Sequence, residues 1–172
     1  MRRSIWDANS FTTWDANAWG NICKKIQKIM GGHQRLTGYG HGAVEIAETI
    51  EKLDYLYGYA VATVEEGLIL RNHGIQKPIL ILGYVFPDQY VDMIKAGIRP
   101  TVFTREMAEK LSVAAASIGR DCKIHFAIDT GMSRIGYQVT EEAADEMAQL
   151  SKLPHIIVEG IFTHFAKADE KE

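Results

Sequence analysis

Hydrophobic and polar positions follow two different periods along this chain from residue 43 onward. Apolar residues at 43, 44, 46, 47, 50 and 53 keep the helical period and predict a helix over 43–53. The unbroken apolar run PILILG at 78–83 is instead typical of a strand buried on both faces. The same two patterns predict further helices over 64–73, 87–96, 104–118 and 140–150, and further strands over 57–63, 99–103, 123–129 and 156–165.

Single residues at the predicted element ends support these boundaries. Gly74 follows the helix over 64–73 at the position that a C-terminal cap prefers, and Thr104 and Thr140 stand where side-chain N-caps are common. Each predicted strand after residue 55 is preceded by a helix. This alternation implies parallel strands joined by right-handed crossovers.

Two architectures contain such a sheet, the open doubly wound sheet and the (β/α)8 barrel, and the periodicity does not separate them. A full barrel typically takes ~250 residues and at least ~200, whereas this chain has 172. The last predicted strand is followed only by AKADEKE, without a helix to cover it. The expected fold is therefore α/β, an incomplete (β/α)8 TIM-type barrel with parallel strands that lacks the last barrel strands.

Composition narrows the class of protein further. Apolar residues make up 47% of the chain and charged residues 24%, which suits a packed core and excludes disorder as the main state. A formal net charge of −3 gives no electrostatic reason to expect a nucleic acid or a membrane as partner. Cys23 and Cys122 lack CxxC spacing, no apolar run approaches the ~20 residues of a membrane span, and no signal peptide is recognisable. We therefore expect a cytoplasmic protein.

Three short segments carry the candidate chemistry, because the carboxyl ends of parallel strands form the ligand-binding edge of α/β folds. The first is Tyr39-Gly40-His41-Gly42, directly before the first predicted helix. Its glycines allow the backbone to approach a ligand closely, and the helix N-terminus offers N–H groups to an anion such as phosphate. The alternative is an ordinary glycine-rich turn, which these four residues alone favour.

The second and third segments follow two later strands. The segment DTGMSRIG at 129–136 places Arg134 on a glycine-bounded loop, where its guanidinium can present a fixed fork to an oxygen anion. The alternative is an ion pair with Asp129 or another carboxylate. The last predicted strand ends near His164, which either contacts a cofactor or is satisfied within the core. The other histidines and the cysteines have no metal-ligand spacing, so no metal site is expected.

Taken in order, these segments resemble the alanine racemase family. The chain carries YGHGA at 39–43, GYAVATVEEG at 58–67, PILILGY at 78–84, IDTGMSRIG at 128–136 and EGIFTHFAKADE at 159–170. Residues 1–37 match poorly, and residues 38–172 are expected to form a partial alanine racemase N-terminal barrel domain. The resemblance implies a type III pyridoxal-phosphate barrel, which family members continue into a C-terminal β-domain that is absent here.

The resemblance also implies a reaction and its residues. Family members interconvert L-alanine and D-alanine, which supplies D-alanine for cell-wall peptidoglycan, and they act as homodimers with pyridoxal 5'-phosphate as the electron sink. A lysine holds the cofactor as a Schiff base and acts as one base, and a tyrosine of a second subunit acts as the other. In this chain Tyr39 would bond the cofactor phosphate, Arg134 would contact the ring hydroxyl, and His164 would lie against the ring.

Two positions depart from the family pattern. The lysine belongs four residues before the tyrosine, where this chain has Arg35, and a guanidinium cannot form a Schiff base, so the catalytic residue stays unassigned. Ala127 stands where many family members have a lysine, often carbamylated, that helps to position the arginine matching Arg134. We therefore expect impaired racemisation. The alternatives are a non-catalytic pyridoxal-phosphate-binding barrel and an unstable gene fragment.

A change of reading frame would account for the segment GHQRLTGY at 32–39. One permitted codon set, chosen for illustration, is GGT CAT CAA AGA CTG ACG GGT TAT. Removing one base from each of the GG, AAA and GGG runs leaves GTC ATC AAG ACT GAC GGT TAT, which reads Val-Ile-Lys-Thr-Asp-Gly-Tyr. An apolar strand and a lysine four residues before the tyrosine are then restored together, so we favour this hypothesis over ordinary drift of the gene.

Overall fold

The computed structural model describes residues 43–166, and every helix and strand predicted from the sequence is present there. The helices are α1 (Ala43–Ile50), α2 (Val64–Asn72), α3 (Tyr90–Lys95), α4 (Arg105–Ser117) and α5 (Glu141–Leu150), with a 3-10 turn at Pro87–Gln89 leading into α3. The strands are β1 (Tyr59–Val61), β2 (Ile79–Ile81), β3 (Arg99–Val102), β4 (Cys122–Asp129), β5 (Tyr137–Gln138) and β6 (Ile156–Thr163). The two-residue strand β5 is the element that the sequence analysis did not predict.

The strands form one parallel sheet in the order β1, β2, β3, β4, with β6 on the far side of β4. This order never reverses, whereas a doubly wound sheet changes direction at a switch point. Within residues 43–166 the sheet does not close on itself. The fold is therefore the expected incomplete barrel with parallel strands, and the doubly wound alternative is excluded.

Threonine side chains begin three of the helices directly after a strand. The Oγ1 atoms of Thr63, Thr104 and Thr140 each accept a hydrogen bond from the backbone N–H three residues later. Such caps satisfy N–H groups that a helix start leaves without a partner, and each contributes about 1 kcal/mol. Gly74 ends α2 with a φ of +85°, a backbone conformation that glycine adopts without strain. The predicted caps are thus confirmed, and they fix where each crossover turns.

The apolar residues form two clusters on opposite sides of the sheet. The larger cluster packs the helices against the strands and includes Ile79 and Ile81. Leu80, which lies between them, faces the other side, where it packs with Ala127 and Phe162. This division follows from the period of two along a strand. In the described part of the chain, no helix is long and apolar enough to cross a membrane.

Three charged side chains tie β3, β4 and β6 together. Arg99 Nε lies 2.8 Å from Glu159 Oε2, and Lys123 Nζ lies 2.8 Å from Glu159 Oε1. Burial alone would raise the pKa of the Glu159 carboxyl, but the hydrogen bonds from Arg99 and Lys123 outweigh it and lower the pKa. The carboxylate therefore stays charged and holds the three strands in register.

Candidate functional site

Arg134 and His164 follow two neighbouring strands, β4 and β6, at the same edge of the sheet. β4 is followed by a loop over 130–136 that carries Arg134, and His164 directly follows β6. Both side chains are exposed to solvent. Because the strands are parallel, their carboxyl ends meet at the edge where α/β folds bind ligands. The structure thus places both residues where a ligand can reach them.

The carboxylate of Asp129 organises the Arg134 loop from its base. Asp129 Oδ1 accepts hydrogen bonds from the backbone N–H groups of Gly131 at 2.9 Å and Ser133 at 3.0 Å. Its Oδ2 accepts a weaker bond from Gln138 Nε2 at 3.3 Å. The N–H groups of Ser133 and Gly131 lower the pKa of the Asp129 carboxyl. This carboxylate therefore bonds the backbone of the loop.

The same loop requires backbone conformations that favour glycine. Gly131 and Gly136 have φ values of +125° and +126°, and Ser133 has a φ of +55°. A Cβ atom on Gly136 would lie 2.5 Å from Asp129 N and 2.7 Å from the carbonyl carbon of Ile128. The chain can return onto β4 at this point only because Gly136 has no side chain.

A hydrogen bond joins the Arg134 loop to the strand that leads to His164. Thr130 Oγ1 and Thr163 Oγ1 are 2.8 Å apart, and either hydroxyl can donate. Thr130 begins the loop, and Thr163 is the last residue of β6. The two segments that the sequence analysis selected separately are therefore held side by side.

Aromatic side chains lie at the same ends of the neighbouring strands. Tyr84 and Phe86 follow β2, and Phe103 follows β3. The Tyr84 ring centroid lies 5.0 Å from that of Phe86 and 6.2 Å from that of Phe103. Tyr84 and Phe86 are exposed. The sequence analysis did not select these residues as site residues, although Tyr84 directly follows the strand predicted over 78–83.

A glycine brings the ends of β1 and β2 into close contact beside these aromatic rings. A Cβ atom on Gly83 would lie 2.5 Å from the carbonyl oxygen of Ala62. Atoms at that distance would overlap, so one of the two strand ends would have to move. Gly83 therefore sets how closely the first two strand ends can approach each other.

Arg134 makes no salt bridge among the described residues, including with Asp129. The ion pair considered as an alternative role for Arg134 is therefore not what the structure contains. Its guanidinium lies at the same edge of the sheet as the exposed aromatic rings and His164, and it can bind an oxygen anion on a flat aromatic ligand. A pyridine ring that carries a hydroxyl and a phosphate is a ligand of this kind.

Several sequence-based expectations lie outside the described residues. Tyr39, with the glycines beside it, belongs to this group, as do Arg35 and Cys23. Ala127 is described, and it is buried against Leu80 and Phe162. This position therefore provides an apolar contact and no amine. Within residues 43–166, no group of three or more histidine, cysteine, aspartate or glutamate side chains has an arrangement that could hold a metal ion.

The lysines of the described part are not placed to link a cofactor covalently. Lys77 lies two residues before β2 and donates to the carbonyl oxygens of Leu53 and Leu56. Lys123 lies near the start of β4 and pairs with Glu159. The other described lysines lie on α3 and α4 or directly after α1 and α5: Lys52, Lys95, Lys110 and Lys152. The described residues thus fit non-covalent binding of a pyridoxal-phosphate ring and do not fit a covalent link.

Comparisons with known proteins identify relatives that share this arrangement of elements. A profile of the family described as "Alanine racemase, N-terminal domain" matches residues 18–172. Alanine racemase 1 of Clostridium acetobutylicum is 46% identical over 149 residues, which are 86% of this chain and 38% of that protein. The solved alanine racemase of Clostridium difficile 630 is 41% identical, with a TM-score of 0.77, and the match covers 88% of this chain and 42% of that one.

A histidine racemase from Leuconostoc mesenteroides superposes with a TM-score of 0.74 but is 24% identical, so it supports the fold alone. The chain spans 38% of the length of the first curated relative and 42% of the first solved one. The family match begins at residue 18, inside the segment 1–37. Because the family profile matches nearly the whole sequence and the sheet has the same fold as solved alanine racemases, this chain belongs to the alanine racemase N-terminal domain family.

Proposed function

We propose that this chain provides the N-terminal barrel part of an alanine racemase, which interconverts L-alanine and D-alanine with pyridoxal 5'-phosphate. The observation that carries this proposal is the bond between Thr130 and Thr163, which holds the Arg134 loop beside the strand end that precedes His164. D-alanine for cell-wall peptidoglycan is the product that follows from this activity. We further propose residues 38–172 as the barrel domain, a cytoplasmic location and a homodimer, in keeping with the family resemblance.

Each proposed site residue has a separate part in holding the ring. The Arg134 guanidinium would donate hydrogen bonds to the ring hydroxyl oxygen, and this charge-assisted contact would orient the ring. The His164 imidazole would contact the ring, and the Tyr39 hydroxyl would donate to a phosphate oxygen, as the family resemblance implies. Asp129 holds the Arg134 loop through backbone bonds and leaves the guanidinium available to the ligand. When bound, pyridoxal phosphate supplies an electron sink for a carbanion at the amino-acid α-carbon.

Arg35 limits what the chain as written can do. Its guanidinium stays protonated, so it cannot attack an aldehyde as a lysine amine does. Proton exchange at the α-carbon also needs two groups on opposite faces, and these act as a unit, so losing one removes nearly all turnover. We therefore propose non-covalent cofactor binding with strongly impaired racemisation for the chain with Arg35.

A second candidate function is a pyridoxal-phosphate-binding barrel without catalysis. It is favoured by two positions together, Arg35 in place of the lysine and Ala127 buried among apolar side chains. This candidate keeps the same contacts from Arg134 and His164 to the ring. It differs from the first candidate in predicting that restoring a lysine at position 35 yields no turnover.

Equilibrium dialysis with pyridoxal phosphate tests the proposed binding. Arg134→Ala is expected to weaken binding at least about tenfold, because a hydrogen bond to a charged group contributes about 1.5–3 kcal/mol. The matched control is Arg120→Ala, since Arg120 is an exposed arginine that precedes β4 and bonds the carbonyl oxygen of Lys95. Equal affinity in the wild type and Arg134→Ala would contradict the proposed role of Arg134.

A coupled D-alanine assay then separates the two candidate functions. The wild-type chain is expected to show no turnover, and Arg35→Lys is the variant that restores the missing amine. The assay is run with Arg35→Lys in the chain alone and in a fusion to the remaining part of a related alanine racemase. Turnover in the fusion supports the racemase, whereas cofactor binding without any turnover supports the non-catalytic candidate.

A further inference from the structure

We propose that Asp129 is a positioning residue that sets the direction of the Arg134 guanidinium toward a bound ligand. This inference rests on the proposed function for the identity of that ligand. Asp129 is the last residue of β4, so its backbone is held by the sheet while its side chain reaches into the loop. The loop that it organises begins at Thr130 and ends at Gly136.

Asp129 contacts the chain on both sides of Arg134. One carboxylate oxygen, Oδ1, accepts from Gly131 N and Ser133 N, which fixes the first half of the loop. The other, Oδ2, accepts from Gln138 Nε2 in β5, where the loop ends. A single side chain therefore bonds the loop before and after Arg134. Removing that side chain frees both halves at once.

Among the described residues, no other side chain is placed to orient Arg134. In the described part of the chain, no carboxylate forms a salt bridge with Arg134, so its direction is set through the backbone. Ala127, two residues before Asp129, is buried in an apolar cluster and offers no polar atom on its side chain. The bond from Thr130 to Thr163 anchors the start of the loop only.

The charge of Asp129 suits this role. The N–H groups of Ser133 and Gly131 lower the pKa of the carboxyl, so it stays ionised across the neutral range. An ionised carboxylate accepts N–H bonds about twice as strongly as a neutral acceptor does. An asparagine keeps the Oδ1 acceptor without the charge. An asparagine at position 129 can therefore accept the same hydrogen bonds at Oδ1, but each bond is weaker.

The test compares two ligands, pyridoxal phosphate and its 3-deoxy analogue, which lacks the ring hydroxyl that Arg134 is proposed to bind. Equilibrium dialysis on the full chain is expected to give the wild type about tenfold preference for pyridoxal phosphate. Asp129→Ala is expected to reduce this preference to about twofold or less, and Asp129→Asn to recover most of it. Asp145→Ala, which removes an exposed aspartate on α5, serves as the control and keeps the wild-type preference.

Amide hydrogen exchange on the same variants, measured by NMR, separates positioning from folding. Gly131 and Ser133 amides are expected to exchange at least tenfold faster in Asp129→Ala, while amides of β4 and β6 keep their rates. An unchanged preference in Asp129→Ala, or equal weakening of both ligands, would overturn the inference. If the wild type binds neither ligand, the proposed function fails, and unchanged exchange at Gly131 and Ser133 would separately show that Asp129 does not hold the loop.

Discussion

His125 is a buried histidine on β4, and its environment determines how it titrates. Burial lowers the pKa of His125 to about 3; the Glu159 carboxylate opposes this effect and the Arg99 guanidinium adds to it. The imidazole therefore stays neutral in the folded protein at every pH at which an ordinary histidine becomes charged. This difference between the folded and unfolded states links the stability of the sheet to pH.

We predict that the free energy of unfolding falls as the pH is lowered from about 6.5. The unfolded chain takes up a proton near pH 6.5, whereas folded His125 does so only near pH 3, so the unfolded state binds more protons between these values. Urea denaturation is expected to show a loss of about 1.4 kcal/mol per pH unit between pH 5 and 6. His125→Leu removes this slope. His73→Gln, at an exposed histidine, leaves it in place.

Glu159 forms salt bridges with both Arg99 and Lys123. Removing its charge is predicted to destabilise the sheet. The side chains of Arg99 and Glu159 are 12% and 14% exposed, so Glu159→Gln leaves a nearly buried guanidinium without its counter-charge. A loss of about 3 kcal/mol is expected. Glu109→Gln breaks the exposed pair with Arg105 and is expected to change stability by less than about 0.5 kcal/mol. Similar losses in the two variants, measured by urea denaturation, would contradict this assignment.

At the scale of elements, the tight return from β4 to β5 depends on Gly136. Alanine at this position meets both an unfavourable φ of +126° and backbone atoms at 2.5 and 2.7 Å. Alanine at Gly74 meets an unfavourable φ of +85° but no atom within 4 Å. Gly74→Ala is thus a control that carries the cost of a positive φ without any close contact.

We predict that Gly74→Ala costs about 1 kcal/mol of folding free energy and Gly136→Ala about 3 kcal/mol. The difference combines the close approach of Gly136 to Asp129 and Ile128 with its less favourable φ. Thermal or urea unfolding of the two variants provides the comparison. Equal losses would mean that the backbone at Gly136 relaxes without cost.

Local signals in the sequence were sufficient for most elements. Thr104 and Gly74 mark a helix start and a helix end through their own chemistry, and PILILG marks a buried strand through its composition. β5 has only two residues, and parallel strands are usually joined by a dozen residues or more, so no local pattern predicts it. The loop over 130–136 makes this return in a shorter span through its positive φ angles.

The candidate site was predictable only in part, because some of its contacts join residues far apart in sequence. Arg134 and His164 each follow a strand, which marked them as candidates, and the family resemblance gave them their roles. The bond from Thr130 to Thr163 joins residues far apart in sequence, and the aromatic group around Tyr84 depends on how β2 and β3 sit side by side. Such contacts depend on how the strands align with each other, and the hydrophobic pattern within one strand does not specify this alignment.

At the scale of the whole molecule, residue 35 determines whether a cofactor can be held covalently. We predict that borohydride reduction with pyridoxal phosphate, followed by peptide mapping, labels no lysine in residues 24–40 of the chain as written. Arg35→Lys places an amine four residues before Tyr39 and is expected to yield a labelled peptide there. A labelled lysine within 24–40 of the wild type would contradict the prediction.

Sequencing the DNA that encodes residues 30–40 tests the reading-frame hypothesis separately. Codons that become Val-Ile-Lys-Thr-Asp-Gly-Tyr after single-base deletions in short runs would support it. Codons that cannot be reconciled with that parent would leave Arg35 as an encoded residue that requires its own explanation.

The pairing of β4 with β5, the next strand along the chain, has a consequence for the order of folding. Ile128 pairs with Tyr137 on one side and with Thr163 on the other, so its first partner is far nearer in sequence than its second. The entropy lost on closing a loop grows with loop length, and short loops close within about 10–100 ns. The turn that carries Arg134 can therefore form as soon as β4 does, before β6 arrives. The backbone that carries the guanidinium is then already ordered when an anion arrives, so binding costs only the freedom of the side chain.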